Sequence, residues 1–122
     1  MTDKAWRPPT AAERSLVESW VEAWNAQVGD TAVAGPDLVA RTSCNCGDCP
    51  SFAVKPLHLD PERSKDRLLA VGGPANGRDG SAVAGLIAWK LMPGEVDFEI
   101  YTLANGRVDL ENITIKFEAT SD

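Results

Sequence analysis

Between Thr10 and Gly29 the apolar residues Leu16, Val17, Trp20, Val21, Trp24 and Val28 recur at intervals of three and four. That spacing gathers side chains on one stripe of an α-helix. Ahead of the stripe, Thr10-Ala11-Ala12-Glu13 has the form of a capping box. In such a box the threonine oxygen accepts from the Glu13 amide, and the Glu13 carboxylate reaches back to the Thr10 amide. Gly29 is a natural stop. The pattern predicts a helix from Ala11 to Val28. Its two tryptophans read as core, because each buries ~150–250 Å² when covered. The opposite flank carries Arg14, Glu18, Glu22 and Asn25. Glu18 and Glu22, four apart and of one sign, mark a solvated face or one that awaits a basic partner.

The rest of the chain reads as strands. Asp30 to Pro36 is expected as a loop. Asp37 to Thr42 is expected as a strand with Leu38 and Ala40 on one side and Val39 and Arg41 on the other. Ser51 to Lys55 is its hairpin partner, with Phe52 and Val54 on one face, and Cys44 to Pro50 forms the connection. Pro56 to Lys65 is polar and irregular, with one helical turn expected at Asp60-Pro61-Glu62-Arg63. Arg67 to Val71 is a short strand, and Gly72 to Gly80 is a mobile loop. Ser81 to Met92 is a central strand whose small residues Ala82, Ala84, Gly85 and Ala88 leave room for a close neighbour. Pro93-Gly94 is a turn. Val96, Phe98 and Ile100 then alternate with Asp97, Glu99 and Tyr101, the mark of a half-buried antiparallel strand. Asn105-Gly106 suits a tight hairpin turn. Beyond it the parity changes near Glu111-Asn112, where a bulge or break is expected. A lone helix must bury its stripe on the sheet. The predicted fold is α+β: an N-terminal amphipathic helix on an antiparallel sheet of five to six strands, ending in a three-strand meander.

Composition narrows the function classes. The chain has 122 residues, 43% hydrophobic and 25% charged, with 12 Lys and Arg against 18 Asp and Glu and a net charge of -6. Such a chain suits one folded domain, taken as residues 10–122 after a flexible lead over 1–9. The negative charge argues against nucleic acid and anionic membranes as partners and is compatible with a basic protein partner. Residues 1–9 contain no apolar run, so no secretory signal is expected. The longest apolar stretch, Ala82 to Trp89, is far below the ~18 residues of a membrane helix. The expected location is the cytoplasm.

The densest chemical signal is Cys44-Asn45-Cys46-Gly47-Asp48-Cys49-Pro50. Three thiolates this close, with His58 or Asp48 as a fourth ligand, could hold zinc, which wants four donors in a tetrahedron. The second half-site of a paired zinc motif is missing. The plainer reading is three small thiols in a tight turn, with no cofactor. A redox pair at Cys46 and Cys49 lacks the helix start that lowers a thiolate pKa. Nothing in the spacing brings His58, the single histidine, to a cysteine as a base. Asp97 and Glu99 share a strand face with Tyr101, as neighbouring carboxylates or a solvated surface. The glycines of residues 72–80 lack any phosphate-binding spacing.

Arg7-Pro8-Pro9-Thr10-Ala11-Ala12-Glu13-Arg14, the run from Ala40 through Cys44-Asn45-Cys46-Gly47-Asp48-Cys49-Pro50-Ser51, and Phe98-Glu99-Ile100-Tyr101 together resemble a group of small uncharacterised bacterial proteins. Those proteins carry a cysteine-glycine cluster after a capped helix, with tighter cysteine spacing than here. Val21-Glu22-Ala23-Trp24-Asn25-Ala26 resembles the first helix of cystatin-like, NTF2-type domains. That likeness implies a helix against a curved sheet and a pocket, with Trp20, Trp24, Trp89 and Tyr101 as its lining. The leading expectation is a binding protein acting through protein–protein contact, an inhibitor or immunity-like protein, through Glu18, Glu22, Asp97, Glu99 and Tyr101. The alternatives are a zinc-binding domain built on Cys44, Cys46, Cys49 and His58, and a pocket protein or enzyme of the NTF2 type.

Overall fold

The computed structural model describes residues 5–43, 50–103 and 108–119. Helix α1 spans Ala11–Val28, as the periodicity predicts. Both halves of the capping box are made: the Glu13 amide donates to Thr10 Oγ1 at 3.1 Å, and the Thr10 amide donates to Glu13 Oε1 at 2.9 Å. Gly29 ends the helix in the left-handed region, at φ 77°, and its N–H returns to Asn25 O. That conformation favours glycine because it lacks a Cβ. No basic residue sits in the last helical turn. Arg63, from the turn after Asp60, supplies the missing cation and donates to Val28 O at 2.6 Å.

Among the described residues seven antiparallel strands follow: β1 Val33–Thr42, β2 Phe52–His58, β3 Val71–Asn76, β4 Ala82–Met92, β5 Glu95–Thr102, β6 Thr114–Ile115 and β7 Glu118–Ala119. Six of them lie side by side in the order β1-β2-β5-β4-β3-β6, and β7 pairs with the start of β3. The hairpins β1–β2 and β4–β5 are those expected, the second turning at Pro93-Gly94 with Gly94 at φ 84°.

The helix lies on one face of this sheet. Val96, Phe98 and Ile100 of β5, Phe52 and Val54 of β2 and Ala84, Leu86 and Ala88 of β4 all point to it and are buried. Trp20 and Trp24 are fully buried and stacked, with centroids 5.2 Å apart, and Phe98 meets Trp20 edge-on at 5.4 Å. Buried indole N–H groups need acceptors. Trp20 Nε1 donates to Val71 O at 3.0 Å, and Trp24 Nε1 to Asp30 Oδ2 at 2.8 Å.

The structure corrects the sequence reading at four places. First, β1 begins at Val33, not Asp37, with an irregular register between Ala34 and Val39. Its partner β2 continues through Pro56 to His58. Second, the strand expected at residues 67–71 is a single bridge, Leu68 to Trp89. The true strand β3 runs through Gly72 and Gly73, which were expected as loop. Here glycine answers close packing: a Cβ on Gly72 would lie 2.5 Å from Leu86 O, and one on Gly73 would collide with Lys116 O. Third, the C-terminal segment does not extend a meander on β5, because β2 and β4 already occupy both edges of β5. It crosses instead to β3, after a 3₁₀ turn at Leu110–Asn112 where the parity break was expected. Fourth, the lead holds Arg7 against the sheet. Arg7 exchanges backbone hydrogen bonds with Ala40, and its guanidinium binds both oxygens of Glu13 at 2.7 and 2.9 Å. The turn expected at Asn105-Gly106 lies outside the described residues.

Glu13 therefore joins lead, helix start and sheet edge. Burial pushes its carboxyl up, but the Arg7 and Thr10 hydrogen bonds together outweigh burial and hold it below the ordinary glutamate range. A lowered folded value gives stability that is present above the unfolded value and lost as pH falls through the folded one. We predict that Glu13→Gln costs about 1–2 kcal/mol in urea unfolding at pH 7, the scale of a capping interaction and a charged hydrogen bond. The deficit should shrink as the pH is lowered through the carboxylate range.

Candidate functional site: the outer face of the sheet

The alternation that buries Val96, Phe98 and Ile100 sends Asp97, Glu99 and Tyr101 to the face away from the helix. Cross-strand register then determines their neighbours. One row runs Arg41, Ala53, Asp97, Trp89 and Leu68 across β1, β2, β5, β4 and the segment before β3. The next pairs Glu99 with Ile87, and the third sets Tyr101 beside Gly85 and Gly85 beside Pro74. Gly85 was expected to leave room for a close neighbour, and that neighbour is Tyr101, whose ring occupies the space a Cβ would take.

Three zones result. At the β1–β2 end, Trp6 meets the Arg41 guanidinium at 4.5 Å and the Lys55 ammonium at 4.3 Å. In the middle, Glu95, Asp97 and Glu99 form an acidic strip along β5; Trp89 Nε1 donates to Glu99 Oε1 at 2.9 Å, and Arg41 stands 3.9 Å from Glu95. At the β3–β4 end lies an open apolar groove of about 540 Å³, lined among others by Leu68, Gly72, Ile87, Tyr101, Leu103 and Glu118. Its walls are open to solvent: Leu68 is 51%, Tyr101 39% and Leu103 58% exposed. Large apolar residues clustered in this way on a surface mark interaction sites more often than scattered ones do.

Asp97 is half-buried at the middle of the strip. Burial is the main cause that pushes its carboxyl above the ordinary aspartate range, and Glu99 and Glu95 push the same way. A hydrogen bond with Ser43 and the charge of Arg41 oppose this. Its Oδ1 is buried without a hydrogen-bond partner.

The sequence-predicted partner residues divide between two sides of the molecule. Asp97, Glu99 and Tyr101 come together on the outer face. Glu18 and Glu22 are exposed on the helix, which covers the opposite face. The pocket lining drawn from the NTF2 resemblance also divides: Trp20 and Trp24 are packed core, Trp89 lies on the outer face, and Tyr101 alone of the four lines the groove. Cys44, Cys46 and Cys49 lie outside the described residues. His58 stands exposed at the C-terminal end of β2, about 20 Å from Phe52 at ~3.3 Å per residue. Among the described residues, no three His, Cys, Asp or Glu side chains group closely enough to hold a metal ion. Nor is any helix among them long and apolar enough to cross a membrane.

Sequence reasoning missed Leu68, Ile87 and Leu103. Leu103 shares parity with Asp97, Glu99 and Tyr101, and that signal was available. The β4–β5 hairpin was expected, but the pairing of Leu68 with Trp89 that completes the groove is long-range and leaves no local trace. No family model matches the chain, and neither the curated proteins nor the solved structures searched gave a match.

A raised folded value means that the native state holds the Asp97 proton more tightly than the unfolded chain does. The resulting stability is complete below the unfolded value and is lost as pH rises through the folded one. At neutral pH the buried carboxylate is therefore a cost. Asp97→Asn should raise the thermal midpoint at pH 7 by a few degrees, corresponding to about 1 kcal/mol. The gap should narrow below the ordinary aspartate pKa, as thermal melts across pH 3.5–8 would show.

Proposed function

We propose that this chain is a binding protein whose outer sheet face docks a basic protein partner, masking that partner's surface in the manner of an inhibitor. The observation that carries this reading is the acidic strip of Glu95, Asp97 and Glu99 bordering an exposed apolar groove on the face the helix leaves open. Core packing supports it. Trp20 and Trp24 fill the space between helix and sheet, so the surface available for recognition is on the outside. The net charge of -6 adds long-range steering toward a cationic surface.

The reading is tested by isolating a partner with the intact protein and measuring its affinity for variants on either face. Glu99→Lys should weaken it about tenfold or more, with the loss mainly in association rate and reduced at high salt. Glu22→Lys on the helix should leave it unchanged. A partner indifferent to Glu99→Lys but lost with Glu22→Lys would move the docking surface to the helix and overturn the assignment.

A further inference from the structure

The groove has a charge pattern across the strands that specifies more than a basic partner. Glu99 on β5 pairs with Ile87 on β4, and Gly72 on β3 pairs with Glu118 on β7. The two central positions adjoin, since the space above Gly72 is closed by Leu86 O and the Ile87 Cα. Glu99, Ile87, Gly72 and Glu118 therefore form one line over four neighbouring strands. At ~4.8 Å per strand, the two carboxylate-bearing positions are about 14 Å apart. Between them the floor is apolar, formed by Ile87 and by the β4 backbone that lies close against Gly72. Leu68, Tyr101 and Leu103 stand around it as walls.

An extended peptide presents residues i, i+2 and i+4 on one face, spread over about 13–14 Å. That length equals the separation of the two acids. A helix would set i and i+4 only ~6 Å apart. Resting on the docking reading above, we infer that the groove binds an extended partner segment of the form cation-x-aromatic-x-cation. The central aromatic or large aliphatic side chain packs on Ile87 between Leu68, Tyr101 and Leu103, and the flanking Lys or Arg residues meet Glu99 and Glu118. Glu118 now holds only a loose, exposed pair with Lys116, at 3.8 Å, which a better-placed cation displaces. A second copy of this chain is a poor occupant. The copy carries the same net charge of -6, and an isologous contact that overlaid the two acidic strips would set like charges across the interface, which is costly.

The test is an NMR titration of the ¹⁵N-labelled full chain with three short peptides: Lys-Ser-Trp-Ser-Lys, Glu-Ser-Trp-Ser-Glu and Lys-Ser-Ala-Ser-Lys, each capped at both ends. The first should shift the amides of Gly72, Ile87, Tyr101 and Leu103 and bind at least about tenfold more tightly than either other peptide. Glu99→Gln with Glu118→Gln should erase the preference for Lys over Glu, and the exposed Leu103→Ser should weaken all tryptophan peptides. Equal affinity for the Lys and Glu peptides would overturn the inference. So would saturation of the groove by indole alone at the same concentration, which would mark a small-ligand site. Binding confined to the Asp97 and Arg41 end of the face would also overturn it, while leaving the outer face standing as a docking surface. Loss of the outer-face reading itself is read separately, from the Glu22→Lys arm of the partner experiment.

Discussion

The stacked pair of Trp20 and Trp24, sealed between helix and sheet, is the contact on which the rest of the molecule depends. Each indole contributes roughly 4–6 kcal/mol of apolar burial at ~25 cal/mol per Å². That gain survives only because each N–H has an acceptor inside the fold. Trp20 takes Val71 O and so holds the start of β3 under the helix. Trp24 takes Asp30, and the same Asp30 oxygen accepts the Asp60 amide. The turn beyond Asp60 then delivers Arg63 to the helix C-terminus. Burial pushes the Asp30 carboxyl up, but its hydrogen bonds with Asp60, Trp24 and Thr31 and the charge of Arg63 hold it below the ordinary range. Two aromatic side chains thus organise the helix end, the loop after it, a turn some thirty residues on and the third strand.

With the helix locked to one face, no element among the described residues covers the second face of the sheet. Antiparallel sheets tolerate this when the open face is polar. Here it is only partly so. Arg41, Lys55 and Trp6 form a basic and aromatic corner, Glu95, Asp97 and Glu99 an acidic strip, and Leu68, Ile87, Tyr101 and Leu103 an apolar trough. A sheet shaped by stability alone would scatter these types, since contiguous exposed apolar surface promotes association. Their segregation along the strand order gives the face a direction, and the docking reading proposed above rests on it.

Local signals in the sequence were enough for the elements that local chemistry decides. The capping box, the tryptophan stripe and Gly29 fix the helix to its observed ends. The Val96-to-Tyr101 alternation fixes which side of β5 is buried. What escaped is what depends on distant neighbours. Gly72 and Gly73 carry the composition of a loop, yet they lie in a strand because the Leu86 and Lys116 carbonyls come too close for any side chain. The C-terminal strands pair with β3, which the chain left some forty residues earlier. Arg7 reads as part of a polar lead until Ala40 and Glu13 are brought beside it. The site divides by the same rule. Asp97, Glu99 and Tyr101 share a face by parity and were legible. The groove beside them is made by register, and the separation of Glu18 and Glu22 from it is made by the packing of the helix.

Asp97 links the fold to its surface chemistry. Its Oδ1 is already removed from water and lacks a donor. Any partner that covers the strip removes still more solvent from this carboxyl. An apolar or anionic partner would deepen the penalty of burying it, whereas a partner bringing an N–H donor or a cation would relieve a cost the free protein already carries. The free energy recovered at Asp97 is then available only to a partner of the right sign. In the docking reading proposed above, a carboxyl that weakens the isolated domain serves as a filter on what can cover it. In that reading, the acidic strip serves mainly to discriminate among partners, while the neighbouring groove supplies the buried area.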